Sequence, residues 1–426
     1  MRFLNQTDAD YQPTLEALSR RSAAVPAAIE GAARDVIAAV RAGGDAAIRA
    51  FTEKFEGRKL DLLELDRDRW HAQATTVAAP VLAALERAAE RIEAFHTRER
   101  YPSFEIEAGG ARVGSRVTPL ARVGLYAPGG TARYPSTVLM AAIPARVAGV
   151  KEIIMTTPGP SPETLAAAEI AGVDRVFVIG GAQAVAALAF GTETVPRVDK
   201  IVGPGNAYVA AAKRLVFGDV GIDSIAGPTE VVIIADDSAD PSWIAADLLA
   251  QAEHDALAVP ILIALGRAVG EAIAAEVARQ VVTLPRREIA ETSLRDFGLV
   301  IVVDDPAEAV RVMNQLAPEH AELAVRNARA LSVSITTAGA LFIGAHTPEP
   351  VGDYFAGPSH VLPTGGSARF ASPLGVADFV KRTSIIEYDA AALRAQGDDI
   401  ERLAEVEGLS GHARAVAART RGLPRG

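Results

Sequence analysis

The sequence predicts an α/β protein in which helices cover parallel sheets. From about Pro119 onward, short runs of β-branched residues are each followed by glycine and then by an amphipathic helical pattern, which is the sequence form of repeated βα units. Residues 12–100 instead carry apolar residues three and four positions apart, as helices do. Hydrophobic residues form 49% of the 426 residues, which is enough to fill the cores of about two or three domains.

The predicted elements start with helices, which Gly43-Gly44 and Ala79-Pro80 interrupt. Strands follow, because each later run is short, is rich in β-branched residues and precedes a helical pattern. These predicted strands are Arg122–Tyr126, Glu152–Met155, Arg175–Ile179, Lys200–Val202, Ile261–Leu265 and Leu299–Val303.

Capping residues predict two further helices. Asp240 precedes Pro241, and since aspartate caps free amides and proline suits the first helical position, a helix is expected from here to about Glu253. After about Thr383 the pattern is helical again, with Ser410 as the cap of a last helix that ends near Gly422. A helical tail therefore closes the chain.

Composition and charge narrow the function classes. A net charge of -10 leaves no basic surface to hold a phosphate backbone, which argues against nucleic-acid binding. The absence of cysteine excludes disulfides, iron–sulfur clusters, thiolate zinc sites and a cysteine nucleophile. Residues 1–11 show no export signal, and no apolar run reaches the roughly 18 residues of a membrane span, so we expect a cytoplasmic protein without a membrane segment.

Three glycine turns follow predicted strands, namely Pro128-Gly129-Gly130, Gly180-Gly181-Ala182-Gln183 and Gly203-Pro204-Gly205-Asn206. A helix that begins at such a turn offers free amides to an anion, and a nucleotide phosphate would fit them. Any one of these turns is more often an ordinary tight connection between a strand and a helix. None has the G-x-G-x-x-G spacing with a later acid, so a standard Rossmann fingerprint is not predicted.

Gln251 and His254 lie three positions apart near the end of the helix that Asp240 caps, so both project from one face. A metal ion could bind there, and Asp247 on the same stripe is another candidate ligand. Such a polar pair is more often a surface hydrogen-bonding pair, so both interpretations stay open.

Ala317-Pro318-Glu319-His320 places a carboxylate and an imidazole side by side in a predicted loop. Two such groups can serve as acid and base at one reacting carbon, or they can form a capping turn with a solvent histidine. Asp353 and His360 make a second pair seven positions apart, which chance explains easily. In the helical tail, His412 beside Glu407 is by itself an exposed residue near a cap.

Taken in order, several segments resemble the histidinol dehydrogenase family over nearly the whole chain. The segments that carry the resemblance are Val123-Gly-Leu-Tyr-Ala-Pro-Gly-Gly130, Ile179-Gly-Gly-Ala-Gln183, Val202-Gly-Pro-Gly-Asn-Ala-Tyr208, Ala226-Gly-Pro-Thr-Glu230, Leu248-Leu-Ala-Gln-Ala-Glu-His254, Ala317-Pro-Glu-His320, Gly352-Asp-Tyr354 and His360-Val-Leu-Pro-Thr364. Chance does not produce that series.

The resemblance implies a role for each candidate residue. Glu319 and His320 would be the acid–base pair of an NAD-dependent enzyme that oxidises L-histidinol to L-histidine, and its metal would be zinc. The implied zinc ligands are Gln251, His254, Asp353 and His412, the implied NAD contacts are Tyr126, Gln183 and Asn206, and the implied substrate contacts are Thr229, Gln251, His254, His320, Asp353, His360, Glu407 and His412.

The resemblance also implies an architecture of two incomplete Rossmann-like lobes with small helical N- and C-terminal segments. The implied divisions are a helical arm at 1–20, a discontinuous α/β lobe at 21–118 and 230–382 with the metal and acid–base residues, an inserted NAD lobe at 119–229, and a helical tail at 383–426. The resemblance further implies a homodimer in which the two chains exchange their helical tails, so that His412 of each chain completes the active site of the other. Two positions depart from the family pattern: Thr229 stands where serine is expected, and Ser359 where asparagine often precedes the histidine.

The missing cysteine also constrains the chemistry of the family reaction, which takes an alcohol through an aldehyde to a carboxylate with two NAD. Many aldehyde oxidisers capture the aldehyde on a thiolate, whereas here water must add to the carbonyl before hydride leaves. Glu319 suits the activation of that water, and His320 suits removal of the hydroxyl proton.

Three other functions stay open at the level of sequence. A related dehydrogenase of another amino alcohol or diol would share these residues. A two-lobed solute-binding protein would also have α/β units, but it needs no NAD and usually has an export signal. A zinc hydrolase with Glu319 as base would leave the glycine turns without a role.

Overall fold

The computed structural model describes residues 1–21, 26–129 and 134–421. These form two compact units, of which the first comprises Met1–Glu99 and Leu120–Phe379 and the second Arg100–Pro119 and Val380–Gly426. Gly130 of the first glycine turn and Gly422, where the last helix was expected to end, lie outside the described residues. None of the helices in the described part of the chain is both long and apolar enough to cross a membrane.

The described residues contain sixteen α-helices, two short 3-10 helices at Ser367–Arg369 and Val376–Phe379, and fourteen strands. The strands are β1 (Arg2–Asn5), β2 (Phe104–Ala108), β3 (Ala111–Pro119), β4 (Arg122–Tyr126), β5 (Glu152–Thr156), β6 (Arg175–Phe177), β7 (Lys200–Val202), β8 (Gly221–Ile222), β9 (Glu230–Ala235), β10 (Val259–Leu265), β11 (Leu299–Val303), β12 (His320–Ala324), β13 (Ala340–Ile343) and β14 (Val380–Tyr388). The helices are α1 (Tyr11–Ser19), α2 (Ala27–Glu56), α3 (Arg67–Ala74), α4 (Ala79–Thr97), α5 (Pro135–Ala148), α6 (Pro162–Ala171), α7 (Gly181–Phe190), α8 (Ala207–Val216), α9 (Pro241–Ala252), α10 (Arg267–Val281), α11 (Arg287–Asp296), α12 (Pro306–Leu316), α13 (Ala328–Ser332), α14 (Glu349–Tyr354), α15 (Ala390–Val406) and α16 (Ser410–Thr420).

The first unit contains two parallel sheets covered by helices, so the predicted α/β class is confirmed. One sheet has six strands in the order β1-β11-β10-β9-β12-β13, and the other has five in the order β6-β5-β4-β7-β8. Strands β9, β11 and β12 are buried along their whole length, as expected for a parallel sheet with helices on both faces.

The second unit has a three-stranded antiparallel sheet in the order β14-β3-β2, together with α15 and α16. The prediction of helix from Thr383 onward is therefore wrong for residues 383–388, which belong to β14. Its apolar residues Ile385 and Ile386 are adjacent and do not alternate with polar ones, so the segment has no strand period, and pairing with the distant β3 decides the strand. Ser410 is the first residue of α16 rather than its cap, because Leu409 holds the cap position without a side-chain hydrogen bond.

Six predicted strands occur at β4, β5, β6, β7, β10 and β11, with ends that differ by two residues at most. The predicted interruption at Gly43-Gly44 is also confirmed, since Gly44 has φ 53° and ψ −136° inside α2. A side chain at Gly44 would collide with the carboxylate of Glu193, which accepts a hydrogen bond from the amide of Asp45 at 2.8 Å. The kink is thus held by contacts from a distant loop.

Asp45 completes this kink. Its carboxylate is buried and accepts hydrogen bonds from the hydroxyls of Thr192, at 2.6 Å, and Thr194. Burial raises the pKa of this carboxyl, but the bonds from the two threonines outweigh burial and hold the pKa below its ordinary value of 3.8.

We therefore expect Asp45→Asn to lower the free energy of unfolding by about 1–2 kcal/mol at neutral pH. Because the folded-state pKa of Asp45 is depressed, its stabilisation is present above about pH 4 and is lost as the pH falls through the folded pKa. Denaturant unfolding of both proteins from pH 7 down to pH 3 should show the difference shrinking. A difference that is constant or grows on acidification would contradict this interpretation.

Candidate active site and metal centre

The predicted acid–base residues Glu319 and His320 lie at the amino end of β12, beside Thr229 at the amino end of the neighbouring strand β9. Thr229 precedes β9 and Glu319 precedes β12, and these strands pair in parallel with His320 opposite Val231. The sequence predicted a loop for the whole segment, but His320 is already the first residue of β12. Ala317, which caps α12, has φ 47° and is the only non-glycine residue with positive φ in the described chain. The tight turn at this strained residue leads directly into the Glu319-His320 pair.

The Glu319 carboxyl is buried and held by two donors. Its Oε2 accepts hydrogen bonds from the hydroxyl of Thr229 at 2.6 Å and from the amide of Glu230 at 3.0 Å. Burial nevertheless dominates and raises the pKa of Glu319 to about 8, against the lowering effect of the two hydrogen bonds. A carboxyl with a pKa in this range is suited to take and return a proton near neutral pH.

His320 is oriented by the backbone of the same strand pair. Its buried ring lies with Nδ1 3.0 Å from the carbonyl oxygen of Glu230, and since a carbonyl only accepts, Nδ1 carries the hydrogen. In the neutral ring, Nε2 is then the free acceptor. The tautomer that a general base requires is thus set by a backbone hydrogen bond.

Three of the four predicted metal ligands, Gln251, His254 and Asp353, lie together beside this pair, whereas His412 belongs to the second unit. Ligand atoms of His254, Glu349 and Asp353 all lie within 4.8 Å of one another. The buried amide of Gln251 adjoins them: its nitrogen donates to the Oε2 and Oε1 atoms of Glu349 at 2.8 and 3.1 Å, and its oxygen lies 2.8 Å from the hydroxyl oxygen of Thr229. This set of one imidazole, an amide and carboxylates fits a borderline cation such as zinc.

Helix α9 places two of these ligands as the sequence predicted. The Asp240 carboxylate accepts from the amide of Ser242 at 2.8 Å, and the helix runs from Pro241 to Ala252. Gln251 lies in its last turn, and the His254 amide donates to the Gln251 carbonyl just beyond it. Asp247 on the same stripe instead hydrogen-bonds the carboxyl of Glu322 and is not part of the cluster.

Asp353 and His360 are joined by a hydrogen bond, although the sequence gave no reason to connect them. Asp353 lies in the short helix α14 rather than in a loop, and its carbonyl oxygen accepts from Nδ1 of His360 at 2.9 Å. The other ring nitrogen of His360 lies 3.3 Å from the hydroxyl of Thr137. Both residues line a cavity of about 220 Å³ together with His320. That cavity is large enough for a small amino alcohol.

A second and larger cavity of about 550 Å³ lies along the glycine turns that follow β4, β6 and β7. Tyr126, Gln183 and Asn206 all line it, as the resemblance implied for the cofactor contacts. These turns are at the carboxyl ends of their strands, where α/β sheets usually bind ligands.

The amides at these turns are largely engaged within the protein. The Gly181 amide donates to the Tyr126 hydroxyl at 3.0 Å, and the Asn206 side chain accepts from the amides of Tyr208 and Val209 at the start of α8. The Gly203 amide donates to Asp223 at 2.7 Å. In this conformation, side chains of the protein already accept hydrogen bonds from these four amides.

Glu407 and His412 belong to the second unit. Glu407 is the C-terminal cap of α15, and His412 lies in the first turn of α16. Both side chains are exposed.

Comparisons with known proteins agree along the chain. The sequence model of the histidinol dehydrogenase family matches residues 19–420. The histidinol dehydrogenase of Geobacter sulfurreducens is 50% identical over 427 residues, covering 98% of this chain and 100% of that protein. The crystal structure of histidinol dehydrogenase from Elizabethkingia anophelis matches with a TM-score of 0.93 at 34% identity, covering 98% of both chains.

The chain belongs to the histidinol dehydrogenase family. It is accordingly an oxidoreductase of a family that uses NAD and binds zinc. The enzyme of Aquifex aeolicus, at 48% identity over 418 residues, is a further relative. Family membership does not favour the other dehydrogenases, the solute-binding protein or the zinc hydrolase that the sequence left open.

Glu349 is the residue that sequence reasoning missed. It is buried, lies four positions before Asp353 in α14, and faces Nδ1 of His320 at 3.9 Å. Burial raises the pKa of its carboxyl to about 8, against the lowering effect of His320. The signal that could have found Glu349 is its spacing, because residues four apart share one helix face.

Thr229 stands where the family pattern has serine, and the structure shows which contacts its hydroxyl makes. Its hydroxyl reaches both Glu319 and Gln251, and serine would supply the same group. We expect Thr229→Ser to keep the catalytic constant within about twofold, and Thr229→Ala to lower it about tenfold or more by removing a charge-assisted hydrogen bond. Steady-state kinetics of both variants test this, and equal activity of the two would contradict the assigned role.

Proposed function

We propose that this chain catalyses the NAD-dependent, four-electron oxidation of L-histidinol to L-histidine through histidinal, as the last step of histidine biosynthesis in the cytoplasm. The observation that carries the proposal is the convergence of a base with a fixed tautomer, a buried carboxyl and a cluster of metal ligands at one sheet edge. Family membership supports the substrate and both oxidation steps.

The first oxidation is assigned to His320 as base. Its Nδ1 hydrogen is committed to the Glu230 carbonyl, so Nε2 is free to accept the proton of the substrate hydroxyl while hydride moves to NAD. Thr229, His360 and Glu407 are assigned to contacts with the rest of the amino alcohol. Thr229 and His360 are already oriented by hydrogen bonds of their own.

The second oxidation is assigned to Glu319. Because the chain has no cysteine to capture the aldehyde, water must add to histidinal, and a base must remove its proton. The Glu319 carboxyl, next to His320 and oriented by the Thr229 hydroxyl, supplies that base. The hydrate then loses hydride to a second NAD and becomes the carboxylate.

The metal is assigned to Gln251, His254 and Asp353, with His412 from a second copy of the chain. Zinc, when bound, supplies a fixed cation that holds the imidazole and amine of the substrate and so orients its reacting carbon. Tyr126, Gln183 and Asn206 are assigned to NAD, since they line the larger cavity.

A shared active site in a homodimer is supported by the surface of the second unit. Large apolar side chains are unusually exposed on its sheet and helices, where a soluble surface would carry polar ones. These side chains are Phe104, Ile106, Ile386, Leu403 and Val406, each more than half exposed. Burial of this surface against another copy of the chain would remove these apolar side chains from water. It would also bring Glu407 and His412 to the active site of that other copy.

Metal removal tests the orienting role. We expect chelation to abolish NADH formation from histidinol, and added zinc to restore it, because the substrate loses the cation that positions it. Metal analysis must accompany the NADH absorbance measurement. Undiminished turnover in a verified metal-free sample would refute the assignment.

Glu319→Gln tests the division of labour between the two oxidations. The variant keeps His320 for the alcohol step but loses the base of the aldehyde step, so single-turnover NADH from histidinal should fall about 10²–10⁴-fold. NADH from histidinol should fall far less. His320→Asn is the matched control, and in this variant single-turnover NADH should fall more with histidinol than with histidinal. Equal losses of the two substrates in Glu319→Gln would count against the division.

Mixing two inactive variants tests the shared site. If His412 serves the partner's site, a hybrid of a Glu319→Gln chain and a His412→Ala chain contains one intact site. Equal mixing after reversible dissociation should then recover about a quarter of wild-type activity, since half of the dimers are hybrids with one working site of two. If each chain builds its whole site, the mixture stays inactive.

A further inference from the structure

Two side chains that line the larger cavity each have an acceptor atom without a hydrogen-bond partner among the described residues. These atoms are Oε1 of Glu56 and Oε1 of Gln183, and both atoms are buried. Both side chains line the cavity assigned above to NAD. A buried acceptor without a donor is costly, so this part of the cavity is built for a ligand that presents hydroxyl or amino groups.

The Glu56 carboxylate is held in place by Arg58. Glu56 ends α2, and its Oε2 accepts from the Arg58 guanidinium, with Nε at 3.1 Å. Arg58 also donates to the carbonyl of Val178 at 3.2 Å, which ties the pair to the segment before the glycine turn. Oε1 remains free and leans over that turn, 3.2 Å from the position a Cβ would take at Gly180.

Aromatic side chains adjoin this carboxylate. Phe51 and Phe55 of α2 stack with ring centroids 5.5 Å apart, and both line the same cavity. Such rings offer an apolar face to a planar base. If a base binds against these rings, the Glu56 carboxylate beside them lies next to the sugar that carries the base.

We propose that Glu56 accepts hydrogen bonds from the ribose hydroxyls of the adenosine half of NAD and thereby selects NAD over NADP. A carboxylate accepts from a pair of hydroxyls, whereas a 2′-phosphate in the same place would be repelled by the negative charge of Glu56, and the Arg58 guanidinium is already paired with that carboxylate. The inference rests on the proposed NAD assignment of this cavity and adds a specificity-determining residue to it.

Glu56→Gln is the direct test, with kcat/KM measured for both cofactors. We expect the preference for NAD over NADP to fall at least about tenfold, mostly through KM, because a charged hydrogen bond and a repulsion are both lost. Glu53→Gln is the matched control, since Glu53 lies on the same helix, is half exposed and pairs with Lys59. It should leave the preference unchanged.

A second variant tests the role of Arg58. In Glu56→Gln the guanidinium loses its anionic partner and becomes available to a 2′-phosphate, as arginine is suited to do. Adding Arg58→Met to that variant should therefore remove the gain with NADP. An unchanged gain in the double variant would overturn the part assigned to Arg58.

A competition experiment on the wild-type enzyme avoids any folding defect. Adenosine 5′-monophosphate should compete with NAD at least about tenfold better than adenosine 2′,5′-bisphosphate. Equal potency, or an unchanged preference in a folded Glu56→Gln variant, overturns the proposal. If Tyr126→Ala and Asn206→Ala also leave the KM for NAD unchanged, the cavity itself is wrongly assigned; if they raise it, only the role of Glu56 fails.

Discussion

The hydroxyl of Thr229 connects the two parts of the candidate site. It lies 2.6 Å from the Glu319 carboxylate and 2.8 Å from the Gln251 amide, and that amide in turn contacts Glu349. A hydroxyl has one hydrogen to donate, so its donation to Glu319 or to Gln251 depends on where the proton of the neighbouring carboxyl lies. The acid–base pair and the metal ligands are therefore one hydrogen-bonded network.

This network contains acidic side chains at buried strand positions that elsewhere in the fold carry apolar side chains. Strands β9 and β12 are buried throughout, yet they carry Glu230, His320 and Glu322 among apolar residues. Burial raises the pKa of Glu322 to about 10, with the nearby Asp247 acting in the same direction. Buried acids destabilise a fold unless they are hydrogen-bonded, paired or neutralised by a raised pKa, and groups with such shifted pKa values cluster at functional sites.

The two cavities lie at opposite strand ends of their sheets. The larger one follows the carboxyl ends of β4, β6 and β7, and the smaller one is lined by His320 at the amino end of β12. In the larger cavity, side chains such as Tyr126 and Asp223 occupy turn amides that Rossmann folds leave for phosphate. Buried Lys213 strengthens that arrangement by donating to the Gly203 carbonyl at 2.9 Å and pairing with Asp223.

The sequence alone determined the α/β class, six strands, the kink at Gly44 and the helix that starts at Asp240, because these depend on local periodicity, backbone freedom and capping. Its motif series also identified the family and the candidate residues. Only the tertiary structure decided that Glu349 joins Asp353, that β14 is a strand, and that Glu56 lines the larger cavity. Each of these depends on a partner distant in sequence, and local patterns carry no information about which distant groups a buried carboxylate or an edge strand will meet.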